Sequence, residues 1–247
     1  MKVFVVSATP EANSFVASMA RSSVETMRAL GHDVVHSDLY AMGWNPVASA
    51  ADFGSRANGD YLTYALEQRH NVAERTIAAD IRAELDKLMA ADLLILNFPI
   101  YWFSTPAILK GWIDRVLVSG LCYGGRRIYD KGGMVGKRAF VGLTLGGREH
   151  MFGEGAIHGP IEHLLKPLVQ GTLGYVGYDV IKPFIGWHIP YITPEARAGI
   201  LADYEACLHK LDSRPILPMP SMETFNADMS PRAPAERPLA EEERQAP

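Results

Sequence analysis

This chain of 247 residues predicts an α/β domain built on a doubly wound parallel sheet. Short, near-continuous apolar runs recur along it, as expected of strands buried on both faces. Longer stretches with helical periodicity lie between them, opened by capping residues or Pro and in one case closed by Gly. Strand and helix signals alternate, which favours βαβ units over separate α and β domains. The expectation is a five-stranded sheet with helices on both faces, followed by an irregular C-terminal tail.

Residues 3–6 read as the first strand and 15–30 as the first helix, with Ser14 as N-cap and Gly31 as its stop. Residues 33–39 read as strand two. The stretch 40–59 is rich in Gly, Asn, Ala and Pro and reads as a long loop of the kind that is often functional. Residues 62–90 carry a helical pattern with a break expected near His70 and Asn71. Strand three covers 93–97, and Thr105 and Pro106 open the next helix, with Pro in its favoured first turn. Residues 138–144 read as strand four, and Gly146 and Gly147 open a loop reaching about Gly159. A helix over 161–173 and a fifth strand over 178–184 come next. Thr193, Pro194 and Glu195 begin the last helix, with Glu195 well placed for the helix dipole. No boundary falls inside 1–212, which reads as one domain. From Ser213 prolines and charges dominate and apolar periodicity is lost, so 213–247 reads as a tail. Two fates stand open for it, partial disorder or wrapping over a partner subunit, with Met219, Met222 and Phe225 as anchors for its first half.

Composition narrows the function. Apolar residues make up 48% of the chain, enough for a substantial core, and the net charge of −4 argues against nucleic acid as a partner. Cys122 and Cys207 are far apart and form no CxxC, which suits a reducing compartment and reads as two buried thiols. The first residues are too short and wrongly flanked for a signal peptide, and no apolar run reaches the roughly 18 residues needed to span a bilayer. A cytoplasmic protein without a membrane span is expected. No GxGxxG comes after the first strand and no GxSxG occurs. Residues 132–138 resemble a phosphate-binding P-loop only superficially, lacking the first Gly at the right spacing and the Ser or Thr after Lys137. His150, His158 and His163 have no helical i, i+4 spacing and no completing Cys or carboxylate, so no metal site is expected.

Residues 98–116 hold the strongest functional signal. An aromatic and Pro-rich turn, with Tyr101, Trp102 and Phe103, succeeds the apolar strand 93–97. In open α/β sheets ligands bind beyond the carboxyl ends of strands, so aromatics there suit a flat ligand. The plainer reading is that Trp102 and Phe103 are packing residues of the core.

Five blocks, in order, carry a resemblance: residues 37–42, the pattern FP-x-x-WF-x-x-PAILKGW-x-x-RV at 98–116, residues 129–132, residues 144–147 with 157–159, and residues 193–197. Over roughly residues 1–220 the chain resembles the flavin-dependent NAD(P)H:quinone oxidoreductase family of the DT-diaphorase type, which has a flavodoxin-like fold. The resemblance implies that Ser14 and Phe15 match the loop holding the flavin phosphates, where Thr9 stands in place of the family's usual His. Pro99, Ile100, Tyr101, Trp102 and Phe103 match the loop along the isoalloxazine ring, and Thr144, Leu145, Gly146 and Gly147 the loop at its other side. Arg197 matches a residue near the adenine half, implying FAD rather than FMN; its alternative is a surface pairing with Glu195 or Asp203.

The resemblance also implies a catalytic His at His158, which taken alone reads more readily as a structural histidine, with Gly146 and Gly147 beside it. The family's usual catalytic Tyr is replaced by Phe152, which has no hydroxyl; His158, Glu149 and His150 are candidates to supply its function. Trp102, Phe103, Tyr123, Tyr129, Met151, His158 and Tyr175 match the substrate cavity, with Gly125 where the family often carries another aromatic. For Tyr129 a packing role stands beside substrate contact. By this resemblance the chain is expected to be a homodimeric FAD enzyme that passes two electrons from NAD(P)H to a quinone, or to a nitro or azo compound, by a ping-pong cycle. Two further readings are a regulatory flavoprotein of an ion-efflux system and a flavodoxin-like electron carrier.

Overall fold

The computed structural model describes residues 1–232. Its sheet comprises β1 (Lys2–Ser7), β2 (Asp33–Asp38), β3 (Leu93–Pro99), β4 (Arg138–Thr144), β5 (Asp179–Val180) and β6 (Phe184–Gly186). The strands run parallel in the order β2-β1-β3-β4-β5, with β6 also paired to β4. The order reverses between β1 and β3, the position where such sheets open a ligand crevice. Ser7 stands opposite both Asp38 and Asn97, and Pro99 opposite Thr144, so the loops leaving β1, β3 and β4 emerge on one edge.

Successive strand residues face opposite sides, and each side has its own helices. Val3, Val5, Leu93 and Ile95 pack with Met19 and Met27 of α1 (Phe15–Ala29) and Tyr204 and Leu208 of α6 (Pro194–Leu208). Phe4, Val6, Leu94 and Leu96 pack with α3 (Ala79–Ala90) through Ile81 and Leu85, with α4 (Ala107–Val116) through Leu109 and Trp112, and with α5 (Ile161–Leu168) through Leu165. Burying each large apolar side chain contributes about 1.5–3 kcal/mol.

Polar residues inside the core are paired. Asn97, Ser23 and Tyr204 hydrogen-bond to one another between β3, α1 and α6. Glu84 accepts from Ser37, Lys87 and the Trp112 indole. Arg115 is 3% exposed and pairs with Asp52 and Asp80, its guanidinium 4.7 Å from the centre of the Trp44 ring. Tyr64 of α2 (Tyr64–Glu74) donates to Asp52 at 2.5 Å. This network ties the long loop 40–59 to α4. The fit is tight: a Cβ at Gly111 would stand 2.1 Å from the Pro46 carbonyl oxygen.

Five expectations are corrected. The break in 62–90 falls after Glu74, not near His70 and Asn71, because Asn71 is buried and its carbonyl accepts from Arg75 and Thr76, closing α2 with Arg75 left-handed. Pro106 is the N-cap of α4 and lies outside its first turn. The helix beginning at Ile161 is α-helical to Leu168 and continues as a π-helix over Val169–Gly174; Pro167 has no N–H to donate. The long loop holds a 3₁₀ turn over Ala50–Asp52. Finally, the fifth strand is two pieces, β5 and β6. Between them Ile181 pairs antiparallel with Ile216, Lys182 N–H donates to Pro215 O at 2.8 Å, and Pro183 has no N–H for the ladder.

The segment after residue 212 lies along the domain. Leu217 N–H donates to Val180 O at 2.8 Å, Met219 packs on the core and Met222 is buried, while Phe225 is half-buried. Asp130 accepts from Ser221 Oγ and Met222 N–H, and Arg126 donates to the carbonyls of Asn226 and Ala227. Disorder or wrapping at the far end of the tail concerns residues 233–247, outside the described residues.

Candidate active site

A cavity of about 600 Å³ opens at the carboxyl edge of the sheet, at the β1/β3 reversal. Thr9 and Ser14 line one part, their hydroxyls 2.9 Å apart, and Ser14 Oγ also accepts from Ala17 N–H as the N-cap of α1. Phe15 N–H and Val16 N–H, in the first turn, donate to no protein group among the described residues. Unpaired amides at the positive end of a 15-residue helix suit an anion such as a phosphate. Pro99, Tyr101 and Thr144 line the middle, and Arg197 borders it from α6. Arg197 makes no ion pair with Glu195 or Asp203 among the described residues.

Interleaved with these positions over 99–102 and following Thr144, Ile100, Trp102, Phe103, Leu145, Gly146, Gly147, Phe152 and His158 line a second cavity of about 210 Å³. Trp102 is 95% and Phe103 54% exposed, so neither is a core residue. They form a two-residue turn: Tyr101 and Ser104 exchange both backbone hydrogen bonds at 3.0 Å, and both central residues have positive φ, 48° and 59°. Such a turn ordinarily takes Gly or Asn, and a left-handed non-glycine residue costs on the order of 1–2 kcal/mol. Strain of this kind gathers at functional sites. His158 stands over the turn, its ring centre 5.2 Å from Phe103 edge to face and 5.0 Å from Phe152. Phe152 also packs on Trp187 at 5.4 Å, and a Cβ at Gly147 would stand 2.8 Å from the Phe152 ring, so a side chain there would have to displace it. Gly146 and Gly147 N–H groups donate to no protein group among the described residues.

The remaining residues gather elsewhere. Met151 accepts from His158 N–H at 3.0 Å through its carbonyl and underlies the 150s loop. Tyr123, Tyr129 and Tyr175 form their own cluster, with Tyr175 centred 5.7 Å from Tyr123 and 5.6 Å from Tyr129, and line neither cavity. Tyr129 has φ 48° and its N–H donates to Tyr175 O at 2.8 Å. Burial, together with the neighbouring Tyr175 and Cys122, raises the pKa of the Tyr123 phenol. Glu149 and His150 lie on an exposed 3₁₀ turn, and Glu149 borders a separate groove. Among the described residues no cluster of His, Cys, Asp or Glu forms a metal site, and no helix is long and apolar enough to cross a membrane. Sequence reasoning missed Glu11, Asn13, Ile189, Pro190 and Leu201 in the larger cavity; Ile189 and Pro190 come just after β6, so ending the fifth strand at 186 would have pointed to them.

Residues 1–210 match the model of a family with a flavodoxin-like fold. The chain is 38% identical over 205 residues to NAD(P)H dehydrogenase (quinone) 1 of Rattus norvegicus, covering 83% of this chain and 75% of that protein.

The chain belongs to the NAD(P)H:quinone oxidoreductase family.

A second quinone oxidoreductase relative, ribosyldihydronicotinamide dehydrogenase (quinone) of Pongo abelii, is 37% identical over 85% of this chain and 91% of its own length. A crystal structure of a proposed quinone reductase from Klebsiella pneumoniae superposes with a TM-score of 0.88 at 32% identity, covering 97% of this chain and 98% of that one. Membership of this oxidoreductase family implies a flavin cofactor.

Proposed function

We propose that this chain binds FAD in the larger cavity, takes electrons from NAD(P)H, releases the oxidised nucleotide, and reduces a quinone at the same place. The observation that carries the reading is the pair of neighbouring cavities, about 600 and 210 Å³, whose linings alternate along Pro99, Ile100, Tyr101 and Trp102 and meet again at Thr144 and Leu145. Together they fall within the range of small-molecule and cofactor sites. The residues suit a flavin dinucleotide. Unpaired Phe15 and Val16 amides and the Ser14 and Thr9 hydroxyls meet the pyrophosphate, and Arg197 flanks the adenine half, favouring FAD over FMN. Pro99, Tyr101 and Trp102 flank the ring system, with the free Gly146 and Gly147 amides at its edge.

When bound, the flavin supplies two-electron transfer between reduced nicotinamide and quinone. The chain's own residues do the rest. Trp102 and Phe103 present flat apolar surface to a planar substrate, and the strained turn holds their rings in place. His158 is the proton-holding group of the pocket, with Gly146 and Gly147 beside it offering backbone donors where negative charge develops. Phe152 offers packing in place of a phenol. A flat apolar pocket discriminates weakly among acceptors, so nitro and azo compounds join quinones as candidates. Tyr123, Tyr129 and Tyr175 lie away from both cavities of their own chain; in this reading they complete the substrate pocket of a second copy in a homodimer, and Met151 supports the loop carrying His158. The cytoplasm, with its reduced thiols and nicotinamide pool, is the proposed location.

Anaerobic addition of NADPH and then NADH to the purified protein, monitored in the visible spectrum, tests the reading. The expected result is a yellow protein that bleaches in one two-electron step and recovers on adding a quinone. A yellow protein indifferent to both nucleotides favours the carrier or regulatory reading. A colourless protein that FAD and FMN cannot reconstitute overturns the flavoenzyme assignment.

A further inference from the structure

His188 stands two residues beyond β6 and has a left-handed backbone, φ 57°, a conformation that a residue with a Cβ keeps only where its surroundings hold it. Its Nδ1 lies 2.6 Å from the Gly146 carbonyl oxygen. A carbonyl oxygen only accepts, so Nδ1 carries the proton and Nε2 the lone pair. Arg148 Nε donates to Nε2 at 3.3 Å, so the two contacts agree on one neutral tautomer. The backbone joins the same clasp: His188 N–H donates to Gly147 O at 3.0 Å, and Leu145 N–H to Gly186 O at 3.1 Å. Two consecutive glycines would otherwise range widely.

In a trans peptide the C=O and the next residue's N–H point in opposite directions within one rigid plane. Fixing the Gly146 carbonyl therefore fixes the Gly147 N–H. We propose that His188 is a positioning residue that grips the Gly146 carbonyl and so aims the Gly147 N–H at the flavin edge, with Arg148 locking the imidazole in the required tautomer. The proposal rests on the flavin reading above. It gives the pocket a fixed donor in a site where Phe152 supplies none.

Two variants of His188 separate grip from backbone effects. H188G removes the imidazole and relieves the left-handed strain, while H188N keeps a donor for the Gly146 carbonyl and tolerates that backbone. In the flavin-free wild type, imidazole nitrogen NMR shifts should report the Nδ1–H tautomer alone, and R148A should give a mixture. In titrations with FAD, H188G should bind about 5- to 10-fold more weakly, the worth of one hydrogen bond, and show a lower midpoint potential. H188N should stay within about twofold of wild type. A wild-type Nε2–H tautomer, or H188G with unchanged affinity and potential, overturns the proposal. A wild type with the Nδ1–H tautomer that takes up no flavin overturns the flavin reading instead. The Gly146 carbonyl carbon-13 shift then decides the clasp: an upfield move in H188G, as expected on losing a hydrogen bond to that oxygen, upholds it, and an unchanged shift overturns it.

Discussion

The Phe152 ring and the His158 imidazole lie 5.0 Å apart, centre to centre, and Phe152 brings no hydroxyl to that contact. The pocket therefore has a histidine whose aromatic neighbour cannot donate or accept a proton. Phe152→Tyr adds a phenol hydroxyl to that ring. Quinone turnover should rise by about 100- to 1,000-fold, the usual worth of one oxyanion-type donor. Stopped-flow measurement of the quinone half-reaction checks this; unchanged or slower turnover means another group fills the role.

Trp102 separates stability from binding, because its ring is almost entirely in solvent. Trp102→Ala should leave the melting temperature of the flavin-free protein nearly unchanged, as surface substitutions do within about 0.5 kcal/mol. Flavin affinity should fall about 3- to 10-fold, the loss of one aromatic stacking contact. Full flavin retention in this variant counts against a ring system beside Trp102.

Asp52 should govern part of the acid stability. Burial alone would raise its pKa, but hydrogen bonds from Arg115, Tyr64 and the Ser49 N–H outweigh it and hold the carboxyl below the usual range. A carboxyl depressed in the folded state stabilises above its unfolded value and loses that contribution as pH falls through its folded value. Asp52→Asn leaves Arg115 short of a buried partner and should cost about 3 kcal/mol at neutral pH. Denaturant titrations at several pH values should show the variant's acid limb flattened. An acid limb as steep as wild type would place the titrating carboxylate elsewhere.

The two cysteines should be silent in the folded protein. Burial pushes the Cys122 thiol up to about 12 and raises Cys207 as well. Only thiolate reacts readily. A chromogenic disulfide reagent at neutral pH should release no colour from the native chain and two equivalents after denaturation, matching the chain's two cysteines. Rapid native reaction would require local opening at Cys122.

Much of this architecture is legible in the residues. β4 reads from the sequence with its observed bounds, because Ala139, Phe140, Val141 and Leu143 are buried on both faces of a central strand and leave an unbroken apolar run. The aromatic turn after β3 is legible as a turn beyond the carboxyl end of a strand, and its Trp102 is exposed and lines a cavity there. Long-range partners decide the parts that are not legible. The fifth strand is interrupted because residues 215–217 compete for its backbone, and no local pattern announces a partner thirty residues away. Asn71 looks like a helix breaker, yet its amide donates to Ser55 and Glu67 carbonyls and extends the helix past it. The His188 contact to Gly146 joins residues 42 apart and leaves no periodic trace.

The pairing of residues 215–217 with β5 also bears on how copies of this chain meet in concentrated solution. An uncovered outer strand offers a row of free N–H and C=O groups to any passing chain, and uncovered rows seed aggregates. Here the chain lays its own segment along β5, and Pro215, Pro218 and Pro220 leave that covering segment few amides to offer outward. Cutting the chain at residue 212 would strip this guard from the sheet and convert a contained fold into one prone to edge-to-edge association.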